Sequence, residues 1–388
     1  MTTLPPDRFD VIVVGAGPAG VTAAMALGKA GFSVLVCEAG IFPGAENWSG
    51  AVYFSENLEH PEAFGPEIVA AAPYERRLVE RGAYLYNGHS LLGASLRSPD
   101  VFRSCYTVLR PVYDRYLAEV AREHGVMLAC ETTVQSLIRH RGRVIGVHTE
   151  RGPAYADVVF LAEGDASHLV TQEGYEQDSP HHRSTAAPHF LQGVKEVISL
   201  PEKVLEERLG LAPGEGLAYE MLLRNASRKG RTARLNMGGF VYTNRTSLSL
   251  GFVLPLDNLR HHFEGDHNIL MEWLKGLPEI ARMIDGGELT SYGAKIIRGG
   301  GLREIPRLVD DGLAIGGAAT GIGLDFPYPN FTGPATAMGL HFARAVRQIA
   351  ADAGGLGGRN QAAESPFTER ALRKTYLEAV ESSHYYRS

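Results

Sequence analysis

The chain has 388 residues, 44% of them hydrophobic and 21% charged, the composition of a soluble globular protein long enough for about two or three domains. Its formal net charge of −6 leaves no basic footprint for nucleic acid. No apolar run reaches the roughly 18 residues of a membrane span, and the opening MTTLPPDRF is neither a cationic–apolar signal nor a transit peptide. A cytoplasmic protein is expected, compatible with peripheral contact at the inner face of a membrane.

The first elements in the chain carry the strongest signal. Val11 to Val14 is a continuous apolar run, as a strand buried on both faces would be. Gly15, Gly17 and Gly20 follow at GxGxxG spacing. The first allows a tight turn, the second lets a pyrophosphate approach the backbone, and the third lets the next helix pack on the sheet. That helix is predicted from Pro18, through Ala19, to Ala30, with the proline in its first turn and a free N-terminus that attracts an anion. Ser33 to Cys37 reads as a second strand ending on Glu38 and Ala39. A carboxylate there accepts both hydroxyls of an adenosine ribose, which argues for FAD or NAD over NADP.

Gly40, Pro43 and Gly44 mark a loop that crosses the ligand crevice, with Asn47, Ser49 and Gly50 as candidates to face a redox ring. Tyr84 and Tyr86, then Leu91 and Leu92, read as a hairpin about an Asn87–Gly88 turn. Tyr106 to Leu109 is a short strand. Arg110 then heads a helix on which Val112, Tyr116, Leu117 and Val120 recur at helical spacing up to Gly125. An arginine so placed is a candidate for phosphate or adenine, against the ordinary solvent-exposed alternative. Strands are predicted over Met127–Cys130, Thr133–Ile138 (holding Val134) and Val144–His148, with a turn at Arg141–Gly142. Ala156 to Leu161 is another buried run, leading into Ala162, Glu163 and Gly164, a loop that returns to the nucleotide.

Residues 168–295 read as a different, antiparallel unit with strands over Phe190–Val197, Ala233–Val241 and Ser247–Leu254, then a helix over 269–285. His181, His182 and His189 lack a carboxylate at helical spacing, so no metal site is expected there. A third nucleotide-facing segment begins at strand Leu313–Ile315. Gly316, Gly317, Ala318 and Ala319 permit close backbone approach, and Asp325–Thr332 is a loop. Gly333, Pro334 and Ala335 open a helix packed through Ala337, Met338, Leu340, Ala345, Val346 and Ile349. A final helix is predicted over Thr368–Ser382. The expected organisation is a discontinuous dinucleotide unit (1–167 and 296–350, with hairpin segments 75–105 inserted), a substrate or acceptor unit (168–295) and a helical extension (351–388).

The order of these segments resembles FAD enzymes of the glutathione-reductase and p-hydroxybenzoate-hydroxylase type: a Rossmann-like α/β FAD-binding domain with a second antiparallel α+β domain. The finer pattern is similar to the family of FixC and the electron-transfer-flavoprotein:quinone oxidoreductases, with geranylgeranyl reductases as more distant relatives. It rests on FDVIVVGAGPAG with Glu38, NWSGA from Asn47, YTVLRPVYDRYLA from Tyr106, VVFLAEG ending at Gly164, LQGVKEVISLP from Leu191, SLSLGFVLPLD from Ser247, YGAKIIRGGG from Tyr292 and the helix at Gly333. The resemblance implies that Gly15, Gly17, Gly20 and Glu38 bind the ADP half of FAD. It further implies that Arg110 contacts the cofactor near its phosphates, that Gly164 lies on a second FAD loop, and that Gly316–Ala319 and Gly333–Ala335 lie along the ribityl chain and ring.

Two departures stand out. Many such enzymes hold the ribityl chain with an aspartate where this chain has Gly317. The single-chain quinone oxidoreductases also carry a ferredoxin-like cysteine cluster. Cys37, Cys105 and Cys130 are the only cysteines, fewer than the roughly four ligands a cluster needs, so an iron–sulfur relay is expected on a separate ferredoxin-like protein, as with FixC.

The resemblance implies an electron path from electron-transfer-flavoprotein subunits to a quinone or ferredoxin-like acceptor. No catalytic side chain is expected, since the cofactor carries the chemistry. The alternatives are an FADH2-dependent reductase of isoprenoid double bonds and a structural FAD-binding subunit of a larger complex.

Overall fold

In this computed structural model, residues 8–47, 50–87, 90–176, 190–224, 226–228, 231–233, 237–263, 266–298, 304–323, 330–355 and 365–387 are described. β1 (Phe9–Val14) is central to the first sheet because its apolar run is buried from both sides. It pairs in parallel with β2 (Val34–Cys37) and with β10 (Gly152–Leu161). β7 (Met127–Ala129) extends the parallel row beyond β2, and β19 (Leu313–Ile315) extends it beyond β10. β18 (Val309–Asp310) closes that edge antiparallel. β8 (Val134–His140) and β9 (Arg143–Thr149) form a hairpin, and β9 pairs with the start of β10.

Two helices lie against this sheet: Pro18–Lys29, which follows β1 through the glycine turn, and Thr332–Asp352, whose Phe342 stacks on Phe160 of β10 at 4.2 Å. They approach closely because Gly339 has no side chain; a Cβ there would lie 2.3 Å from the Ala19 carbonyl oxygen. All six residues of the predicted stripe from Ala337 to Ile349 are buried.

The second sheet is larger. Among the described residues its order is β17 (Glu288–Arg298), β11 (Phe190–Ser199), β16 (Ser247–Pro255), β15 (Met237–Thr243), β12 (Glu215–Leu223), β4 (Arg76–Tyr86), β6 (Cys105–Leu109) and β3 (Gly50–Phe54), with β5 (Leu91–Arg97) on β4. A small ribbon joins β13 (Ala226–Arg228) and β14 (Arg231–Ala233). Helices cover one face, on which Val194, Leu250, Phe252 and Leu270 share a core.

Several expectations need correction. The inserted hairpin segments 75–105 fall in the second sheet, where β4 runs parallel to β12. The Asn87–Gly88 turn is wider than a two-residue loop, since Tyr86 pairs with Leu91; Gly88 itself lies outside the described residues. Of the stripe predicted on the Arg110–Glu123 helix, Leu117 is buried and Tyr116 and Val120 pack partly buried on the core, but Val112 is exposed, and Tyr113, Ala118 and Ala121 complete the buried face. The helix over 269–285 is two helices, His267–Lys275 and Pro278–Ile284, because Pro278 cannot continue the first. Ala233 ends β14 rather than opening β15. The C-terminal helix is continuous from Glu369 to Ser382 but holds a π-turn at Arg373–Leu377. It docks on the first sheet, where the Tyr376 hydroxyl donates to the Ile315 carbonyl at 2.7 Å. His181, His182 and His189 lie outside the described residues.

Candidate FAD cleft

The glycines of the first turn divide by what surrounds them. Gly15 takes φ +96°, and a Cβ on it would sit 2.5 Å from the Ala162 carbonyl oxygen. A Cβ on Gly20 would sit 2.0 Å from the Gly15 oxygen. Around Gly17 the space is open, with nothing within 4 Å of an added Cβ. Two positions are therefore glycine for packing, and the third leaves a cradle at the N-terminus of the Pro18 helix, where first-turn N–H groups point outward.

Glu38 reaches back over this turn. One carboxylate oxygen accepts from the Ala16 N–H at 2.8 Å and the other from the Gly40 N–H at 2.9 Å. The Glu38 backbone bonds Ala129 and Thr132. Val134 is buried two residues beyond Thr132, while Ala39 is exposed. An open glycine cradle at a helix N-terminus, with a carboxylate beside it, fits a dinucleotide with an unphosphorylated ribose.

Other expected residues converge here. The Ala162–Glu163 backbone forms the floor against Gly15. The Glu163 carboxylate itself caps the short helix His168–Gln172, accepting from the N–H groups of Leu169 and Val170 at 2.9 Å each. Gly164, at φ +75°, opens the turn Gly164–Ala166. A Cβ on Gly317 would meet the Ala19 Cβ at 2.9 Å and the Ala335 Cβ at 3.9 Å, so the third segment lies beneath both helices. Gly316 is held against the Phe160 ring, and Ala318 is half-buried. At the Thr332 helix, the Gly333 N–H donates to Asn330 Oδ1 at 3.1 Å, Ala335 bonds Phe331, and Pro334 has no N–H. That helix start therefore offers its dipole more than its donors.

The Asn47 N–H bonds the Gly44 carbonyl, and Gly50 opens β3; Ser49 lies outside the described residues. Gly44 fixes this loop to the Arg110 helix, since its Cβ would fall 2.7 Å from the Arg110 carbonyl oxygen.

Arg110 is buried, and its guanidinium is gripped by Asp114 on both oxygens, at 2.8 and 2.6 Å. Burial works against the charge, but Asp114 overcomes this and holds the arginine above its ordinary value. The pair follows from i,i+4 spacing in RPVYD, a signal present in the sequence.

Sequence reasoning also missed a group of buried and half-buried ionisable residues beside Arg110. Asp165 is raised by burial, against Lys295 and Arg110. Lys195 lies on β11 and Tyr242 on β15, and both feel the Arg110 charge. The VKE segment named the lysine without showing where its strand faces.

Gly317 takes φ +72°, a backbone that L side chains rarely adopt. An aspartate in that backbone would be strained. Gly317→Asp is expected to cost about 1–2 kcal/mol of stability and to weaken FAD retention. A melt of the apoprotein and a flavin titration check this; tighter FAD binding would show that the aspartate contact had simply been lost.

A family model described as FAD dependent oxidoreductase matches residues 10–166. With the relatives that follow, this defines the chain as a FAD-dependent oxidoreductase. Protein FixC of Bradyrhizobium diazoefficiens is 35% identical over 320 residues, covering 81% of this chain and 70% of that protein. The probable electron transfer flavoprotein-quinone oxidoreductase YdiS of Escherichia coli K12 is 35% identical over 348 residues, covering 89% and 76%. The chain belongs to the family of FixC and the electron-transfer-flavoprotein–quinone oxidoreductases. Among solved structures, a geranylgeranyl bacteriochlorophyll reductase-like protein of Thermoplasma acidophilum matches with a TM-score of 0.71 at 17% identity, covering 97% of this chain and 83% of that one. That likeness is one of fold.

Proposed function

We propose that this FAD-dependent electron-transfer oxidoreductase accepts electrons from an electron-transfer flavoprotein and delivers them to a quinone or a ferredoxin-like protein. The similarity to YdiS, whose name states the flavoprotein and the quinone, carries the reading. In it, Gly15, Gly17, Pro18, Ala19, Gly20 and Glu38 hold the ADP half of FAD. Gly316, Gly317 and Ala318 lie along its middle, and Gly333, Pro334 and Ala335 lie by the ring. FAD supplies two-electron chemistry when bound; the chain binds it and sets the charge around it.

A quinone acceptor calls for contact with a lipid phase. Among the described residues no helix is long and apolar enough to cross a membrane. The second sheet does present leucines to solvent on one face: Leu222, Leu85 and Leu92 are direct neighbours across three strands and are 44%, 40% and 72% exposed. Such a row supports peripheral seating on a lipid surface.

Among the described residues β1 and its glycine turn form the one unit with GxGxxG spacing, and in this reading FAD occupies it, with Glu38 at the adenosine ribose. Reduced electron-transfer flavoprotein is therefore expected to bleach the bound flavin rapidly on anaerobic mixing, and NADH or NADPH to do so slowly. The isolated protein is expected to contain FAD and no iron. Rapid bleaching by NADPH alone would overturn the donor and favour a nicotinamide-dependent reductase.

A further inference from the structure

Lys195 lies inside β11 and is 6% exposed, a rare place for an amine. Strand alternation sends its neighbours to the helix-covered face, where Val194 joins the core and Glu196 meets Lys275 at 3.1 Å. Lys195 goes to the opposite face. Its partners across the two flanking strands are glycines, Gly251 and Gly293. Its ammonium lies 5.8 Å from the centre of the Tyr242 ring.

This face is turned toward the dinucleotide unit. Lys295, two residues beyond Gly293 on β17, reaches Asp165 in the turn after β10 at 3.7 Å. The charge of Arg110 is felt by Lys195, Tyr242, Asp165 and Tyr53 alike, so these groups gather at the head of the Arg110 helix. The Gly44 loop from the FAD cleft packs on the same helix start. Among the described residues the charged and titratable groups facing this corner are Arg110 with Asp114 from that helix, Tyr53 from β3, Asp165 from the turn, Tyr242 from β15 and Lys295 from β17.

We propose that Lys195 is a positioning residue for the flavin: its ammonium, on the sheet face that closes the cofactor crevice, favours the negative charge left on the ring by two-electron reduction. The inference rests on the reading that FAD occupies the crevice. When two electrons and one proton are added to a bound flavin, one negative charge remains. A neutral Lys195 then takes a second proton from water, so that the reduced pair carries no net charge.

Burial first, and Arg110 second, lower Lys195 to about 7. A neighbouring anion raises it again. Below both values the lysine is charged before and after reduction. Between them reduction takes up an extra proton, so the flavin potential falls more steeply with pH in a window that opens near neutrality and extends upward.

The test is a reductive titration of the FAD-loaded protein with dithionite against reference dyes, from about pH 6 to 9, for the wild type, Lys195→Met and Lys195→Arg. Lys195→Met is expected to prefer reduced over oxidised flavin about tenfold less, equivalent to about 30 mV for a two-electron couple, and to lose the steep window. Lys195→Arg keeps a fixed charge, so it is expected to hold the potential and lose the window. A Lys195→Met protein with wild-type potential and slope overturns the proposal. So does a Lys195→Arg protein that keeps the steep window, which decides the matter alone if the methionine variant does not hold FAD. A wild-type chain that takes up no FAD overturns the cleft reading with it. Dithionite supplies the electrons, so a different physiological donor would touch the proposed function and leave this result intact.

Discussion

Gly20→Ala is expected to yield a protein that is destabilised and purifies without flavin. The added Cβ would lie 2.0 Å from the Gly15 carbonyl oxygen and 3.0 Å from Val13 Cγ1. The first neighbour is backbone, so no rotamer change relieves it. The Pro18 helix would have to withdraw from β1. On its other side it is held by the Thr332 helix, which touches the Ala19 carbonyl through Gly339. Overpacking of this kind costs about 1–3 kcal/mol, occasionally more, and the withdrawal moves the helix N-terminus off the cradle.

Gly17→Ala makes the contrast. Gly17 has φ −74°, an ordinary value, and its Cβ would enter open space. The apoprotein is therefore expected to melt as the wild type does while FAD affinity falls, because the methyl group occupies the approach to the backbone. Thermal melts of both apoproteins and flavin titrations measure the two effects separately. A Gly17→Ala protein with wild-type affinity would move the pyrophosphate elsewhere.

The dinucleotide half was legible because it is local. A strand with a four-residue apolar run, a glycine turn, an alanine-rich helix and an acid all lie between Phe9 and Glu38, and each follows from the period or chemistry of its own residues. The second sheet was legible in its strands and not in its pairing. β4 lies beside β12 through a parallel pairing between segments far apart in sequence, and alternation alone does not choose that partner. Arg110 was found as a position, but its commitment to Asp114 was overlooked although the spacing showed it. Glu163 was read as a cofactor residue from its neighbours; the carboxylate caps a helix, and its backbone forms the cleft floor. Lys195 needed the three-dimensional arrangement, because its burial depends on which face of β11 meets the other unit.

Glu38→Ala is expected to lower FAD affinity more than it lowers stability. The carboxylate accepts from the N–H groups of Ala16 and Gly40, so it already shapes the turn on which, in the proposed reading, the adenosine rests. Adding the ribose hydroxyls makes it a charge-assisted acceptor, and losing such bonds costs about 1.5–3 kcal/mol, or about 10- to 150-fold in affinity. The apoprotein should suffer less, since Glu38 is only half-buried and water can replace it at the two N–H groups. Glu38→Gln separates charge from shape. Its amide oxygen can satisfy one N–H, but its NH2 cannot accept from the ribose, so its affinity should fall between those of the wild type and the alanine variant. Flavin fluorescence titrations of the three apoproteins give the affinities, and their melting temperatures give the structural cost. Full flavin content with unchanged affinity in Glu38→Ala would remove the ribose from Glu38. Equal losses of stability and affinity would reduce the residue to a support for its loop.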